Sequence, residues 1–160
     1  MKASQAGFTL IELVVVIIIL GILAATALPR YAALQTQARI AKLNGALGAM
    51  KGSASLAHAA CLTAQPMCNV VGPPAGSATV NMEGLNITMA NQYPDATATG
   101  IIAAAGLLIQ PSEGFATSTA GTVITLQVLG NDPANCSFTY TQPAAIGTAP
   151  TFSTPLTSGC

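Results

Sequence analysis

The chain has 160 residues, room for one domain and little more. Only 6% are charged, against about 25% in an ordinary soluble domain, while 51% are apolar, with no Trp and few aromatics. This balance excludes a coiled coil, a charged disordered tail and a nucleic-acid-binding domain built on a basic patch. It also leaves few titratable groups for acid–base catalysis.

The charges are segregated. Lys2, Arg30, Arg39, Lys42 and Lys51 hold all the positive charge, and Glu12 is the one acid among them. Beyond residue 51 come only Glu83, Asp95, Glu113 and Asp132, in a stretch rich in Thr, Ser, Ala, Gly and Pro. Nine of the ten prolines lie after residue 65, so the first third reads as helix and the rest as strands, turns and loops.

Residues 8–28 (FTLIELVVVIIILGILAATAL) form an apolar run. As a helix it spans about 32 Å, enough for a bilayer core of about 30 Å. Three readings compete. A cleaved secretory signal has Ala25-Thr26-Ala27 as its small-residue site, but the run is long and holds a carboxylate. A plain signal anchor would follow the Lys/Arg count and leave the C-terminal part in the cytoplasm. The third reading starts from Glu12, since a carboxylate within a span costs roughly 2.5–3.5 kcal/mol and calls for a functional reason. The helix macrodipole and the headgroup region relieve Glu12 but give it no purpose. Cleavage between Gly7 and Phe8 would create a free amine four residues away to meet it.

Gly7-Phe8-Thr9-Leu10-Ile11-Glu12, followed by Leu13 to Leu28 and then Pro29, resembles the N-terminal signature of type IV pilins and type II secretion pseudopilins. The resemblance implies a membrane aspartyl peptidase, the prepilin peptidase, which cuts after Gly7 and N-methylates Phe8. It makes Glu12 the assembly glutamate, paired with the Phe8 amine of a neighbouring subunit in a helical homopolymer. Exchange of lipid for helix–helix contacts gives little net drive, so such a pair would supply register. The family's helix loosens in the filament around the positions of Gly21 to Pro29. Here Gly21 weakens the helix and Pro29 removes a backbone donor. The resemblance further implies an assembly platform protein, an ATPase and residence in the inner membrane before assembly. It implies no cofactor and no catalytic residue. The organisation expected is a leader over 1–7, a transmembrane and filament-core helix over 8–28, an amphipathic continuation over 29–60 and a globular head over 61–160.

The helix meets no breaker over 30–60. Ile40, Leu43, Leu47, Met50, Ala54 and Ala57 form one face that would pack on a β-sheet. Ala41, Gly45, Gly48 and Gly52 lie opposite, either solvated or in close approach to a neighbouring helix. In the head, Val80 and Met82 alternate with Leu85, Ile87 and Met89 across a Glu83-Gly84 hairpin turn. Residues 97–109 read as a short helix. Ile124, Leu126 and Val128 mark a strand with one buried face, and Asn131-Asp132-Pro133 a turn. Phe138 and Tyr140 mark another strand, and a last short one is expected near Thr151–Thr154. The fold class is therefore α+β, a long helix packed on an antiparallel sheet.

Cys61, Cys68, Cys136 and Cys160 allow three pairings. Locality favours Cys61–Cys68 and Cys136–Cys160, and disulfides place the head outside the cytoplasm. His58, Cys61 and Cys68 could be three metal ligands, but no fourth is evident, so no metal is expected. Asn86-Ile87-Thr88, Asn135-Cys136-Ser137 and the Ser/Thr stretch 117–119 are weak glycan candidates. Pro29-Arg30-Tyr31, Tyr93-Pro94 and the Cys136 strand closed by Ser158-Gly159-Cys160 resemble the mannose-sensitive haemagglutinin branch of the pilins. The alternative is a pseudopilin forming a short periplasmic pseudopilus. Major pseudopilins typically carry an acidic calcium site near the C-terminus, where this chain has only Asp132 between two cysteines. A membrane-tethered periplasmic enzyme is opposed by a single His, scattered acids and no nucleophile constellation.

Overall fold

The computed structural model describes residues 8–63, 78–107 and 113–160. The chain divides into two compact units, one through Gln37 and one from Ala38 onward. Helix α1 spans Leu10–Thr63 and takes Pro29 into its interior. In the first unit every described residue of α1 is exposed.

In the second unit, α1 buries Leu43, Ala46, Met50, Ser53, Ala54, Ala57 and Cys61. Ile40 and Leu47 pack half-buried against the same core, so the expected stripe is the sheet-facing side. Ala41, Gly45, Gly48 and Gly52 are exposed.

The strands are β1 Ala78–Met82, β2 Leu85–Ala90, β3 Tyr93–Pro94, β4 Phe115–Ala120, β5 Val123–Val128, β6 Ser137–Thr141 and β7 Thr151–Phe152. They form two antiparallel sheets, β1-β2-β3 and β4-β5-β6-β7, where the sequence led us to expect one. The first sheet lays Val80, Ile87 and Met89 on Ala57 and Cys61. The second lays Ile124, Leu126, Val128, Phe138 and Tyr140 on Leu43, Met50 and Ala54. The two ladders stay separate, and side chains join them. The Tyr140 hydroxyl donates to the Pro94 carbonyl at 2.6 Å. The Ala96 amide donates to Gln142 Oε1 at 2.8 Å, and Asn91 Nδ2 to the Pro143 carbonyl at 2.8 Å. Burial, with Asp95 and Tyr93 nearby, pushes the Tyr140 phenol up, so it stays a donor.

Both short hairpins of the first sheet turn through left-handed pairs, Glu83-Gly84 and Asn91-Gln92, the geometry that matches strand twist. The first pair agrees with the sequence reading. The second, and strand β3 after it, went unread because Asn-Gln carries no glycine. Strand β4 was also missed, since its Thr-Ser-Thr centre reads as surface chain.

The helix expected over 97–109 is shorter. A π-turn covers Ala98–Ile102, with Gly100 at φ −92° and ψ −108° breaking it. The chain leaves through Gly106 at φ +64°, and residues 108–109 lie outside those described. Two glycines defeat the alanine-rich pattern. The last strand likewise shrinks to two residues, held between Pro150 and Pro155.

Gly100 closes over Asp95, a carboxylate buried to 1% exposure whose Oδ1 accepts from Thr88 Oγ1 at 2.8 Å and Thr97 Oγ1 at 2.5 Å. A Cβ on Gly100 would fall on Asp95 Oδ1 and on the Asp95 carbonyl. Gly100→Ala should therefore cost about 3 kcal/mol, the scale of an overpacked core. Thermal unfolding of the variant checks this, and an unchanged midpoint would refute the close packing.

Candidate functional site

The N-terminal end of α1 gathers the residues that the sequence singles out. Thr9 precedes the first helical residue, and Glu12 sits three positions on. The Thr9 amide donates to Glu12 Oε2 at 3.0 Å, and the Thr9 hydroxyl donates to the same oxygen at 2.8 Å. In return the Glu12 amide donates to Thr9 Oγ1 at 3.3 Å. This is a capping box, in which two otherwise orphaned amides at a helix start find partners. The signal stands in the sequence as Thr-x-x-Glu, but in an apolar run the carboxylate is conspicuous and the hydroxyl is not. Glu12 thus has a use within its own chain. Its second oxygen, Oε1, makes no hydrogen bond among the described residues.

Phe8 stands just outside the cap, 86% exposed. Gly7 and the rest of the leader lie outside the described residues, as does the expected cleavage point. Behind Glu12 the helix presents Leu13 to Leu28 with no buried residue. The helix is long and apolar enough to cross a membrane. Gly21 and Pro29 both lie inside continuous helix, so the loosening implied by the resemblance is not a feature of this subunit by itself.

Cys136 and Cys160 are bonded as expected, with Cα atoms 4.8 Å apart. Backbone bonds reinforce the closure. The Asp132 amide donates to the Gly159 carbonyl and the Gly159 amide to the Asn135 carbonyl, each at 3.0 Å. Arg39 Nη1, from α1, donates to the Cys160 carbonyl at 2.7 Å. Sequence reasoning missed this use of Arg39, for which a lone arginine on a helix gives no sign. Cys61 is buried and disulfide-bonded, and its expected partner Cys68 lies outside the described residues. His58 stacks on Tyr93 with ring centroids 4.1 Å apart, and its Nδ1 bonds the Gln92 carbonyl at 2.9 Å. The ring therefore acts as a packing element between α1 and β3.

A capped apolar helix start and an α+β unit closed by a disulfide define a protein with an exposed apolar N-terminal helix and a disulfide-tied head. The chain's residues 2–28 match the family model described as "Prokaryotic N-terminal methylation motif". It is 31% identical over 150 residues to a "Type IV major fimbrial protein FimA" of Dichelobacter nodosus, covering 94% of this chain and 80% of that one. It is 50% identical over 48 residues to a "Type IV major alpha-pilin" of Moraxella bovis, 30% of each chain. A "Type IV narrow pilus major component PilA5" of Thermus thermophilus matches at 45% over 51 residues, 32% of this chain and 44% of that one. No solved structure matches at a significant level. The chain belongs to the type IV pilin family. It is a structural subunit of a pilus, and the pseudopilin alternative is not favoured.

Proposed function

We propose that the prepilin peptidase cleaves this chain between Gly7 and Phe8 and methylates the new Phe8 amine. The subunit then waits in the inner membrane with residues 8–28 in lipid, and a platform protein and an ATPase drive it into the filament. There Glu12 of one subunit meets the Phe8 amine of another, and the segment from Gly21 to Pro29 yields to fit the helices together. Cys61–Cys68 closes a second small ring in the head. The fibre acts outside the cell, in adhesion, motility or uptake.

The observation that carries this reading is the free Oε1 of Glu12. One oxygen holds the cap, so the helix start is already ordered, and the other remains for an incoming amine. A preordered acceptor lowers the entropy cost of each addition. Once removed from water, such a pair is specific in register, and breaking it by deleting one partner costs about 3–5 kcal/mol.

Mass spectrometry of material sheared from intact cells tests the proposal. The expected mature chain begins at N-methyl-Phe8 and is four hydrogens lighter than the reduced chain, two for each disulfide. The same chain confined to the membrane fraction would point to a subunit of a periplasmic pseudopilus. A chain beginning at Leu28 would mean an ordinary signal peptide and would end the filament reading.

A further inference from the structure

A helical polymer is built from heterologous contacts, so each subunit carries two different surfaces, one presented and one received. This head has few charges with which to specify them. From residue 38 onward the cations are Arg39, Lys42 and Lys51, and the acids Glu83, Asp95, Glu113 and Asp132. Most are engaged within the fold. Arg39 holds the Cys160 carbonyl. Lys42 lies 4.2 Å over the Phe115 ring and donates to the Glu113 backbone carbonyl. Asp95 is buried under threonine hydroxyls, and the Asp132 side chain accepts from the Ala134 amide and from Asn135. Lys51, Glu83 and Glu113 are exposed without an ion-pair partner among the described residues.

Of these, Lys51 and Glu83 stand beside apolar surface. Glu83, at the tip of the β1–β2 hairpin, rims an open groove of 220 Å³ floored by Leu56, Met82, Leu85, Ala103 and Ala104. Leu56 and Leu85 are 64% and 55% exposed, so the floor is unfilled within the subunit. Lys51 stands on α1 with its Nζ 5.7 Å from the half-buried Phe152 ring of β7. One surface is therefore an acid on an apolar groove, and the other a cation beside an aromatic.

We propose that the Glu83 groove of one copy receives the Lys51 and Phe152 surface of a neighbouring copy in the filament. The proposal rests on the chain being a filament subunit. The apolar floor would exclude water around the pair and raise its strength above that of an exposed surface pair. The two charges stand on different elements, α1 and the β1–β2 hairpin, so one copy offers its acid to the next and its cation to the one before, as a head-to-tail repeat requires.

The test uses the full chain in piliated cells, with sheared fibre as the readout. Lys51→Glu and Glu83→Lys, each alone, bring like charges together and should lower fibre yield roughly tenfold. Both changes on one chain should restore the yield. Co-expression of the two single variants should also restore it, because each then offers its neighbour the sign it lacks. That rescue requires a contact between copies. Full yield from either single variant, or no rescue on co-expression, overturns the pairing while wild-type fibres still form. If wild-type cells yield no fibre, the filament reading falls and takes the pairing with it.

Discussion

Glu12→Gln should leave the chain processed and in the membrane but abolish fibres. The substitution separates the two uses of this side chain. Glutamine at the third helical position still serves a capping box, so the bonds with Thr9 survive and the helix start stays ordered. What it removes is the charge. Glu12→Ala removes both, and adds a capping loss of about 1 kcal/mol. If charge pairing drives assembly, the two variants should be equally devoid of fibres. If capping is the whole purpose of Glu12, Glu12→Gln should assemble normally and Glu12→Ala only partly. Electron microscopy of sheared material, with immunoblots of membrane fractions for the processed chain, distinguishes these cases. Normal fibres from Glu12→Gln would rule out the charge mechanism.

Cys160→Ser should open the end of the head. The Cys136–Cys160 bond closes a loop with a sequence separation of 24, for which chain-entropy arguments give roughly 3–4 kcal/mol. The loss spreads beyond the bond itself. Gly159 packs against the Asp132 carbonyl and Asn135, and Arg39 reaches the Cys160 carbonyl from α1. Releasing the sulfur lets this end of the chain leave Arg39, whose guanidinium would then lie partly buried without its acceptor. The variant should be cut within residues 142–160 by a protease that leaves the wild type intact, and its melting midpoint should drop on the order of 10 °C. Unchanged resistance would mean that the backbone bonds of Asp132, Asn135 and Gly159 hold the loop unaided.

The strands that were legible in the sequence share one property. Val80, Ile87, Met89, Ile124, Leu126 and Val128 alternate with polar residues, and each is buried. Alternation is read easily where one face of a strand meets the helix and the other meets water. Strand β4 lacks that contrast, because of its residues only Phe115 is buried. Strand β3 is two residues long, and its partner residues are named by the Asn91-Gln92 turn, which no glycine announces. The helix over 97–109 failed for the opposite reason. Its apolar run is real, but Gly100 follows the shape of Asp95, a contact between positions five apart that no periodicity contains. In the site, Glu12 was found and Thr9 was not. The carboxylate is conspicuous in an apolar run, whereas the hydroxyl has meaning only once its bond to Glu12 is drawn.

By itself the sequence determined the α+β class and the apolar helix, singled out Glu12 within it, and favoured the Cys136–Cys160 pairing. Each is a local matter of spacing, hydrophobicity or chain separation, which physics ties to few alternatives. Only the tertiary structure decided that the head has two sheets joined by Tyr140, Gln142 and Asn91, and that Arg39 anchors the disulfide loop. It alone set Glu83 on the rim of an apolar groove and Lys51 beside Phe152. These depend on which side chains arrive together from distant parts of the chain, and long-range packing satisfies buried polar groups by proximity that no local pattern encodes.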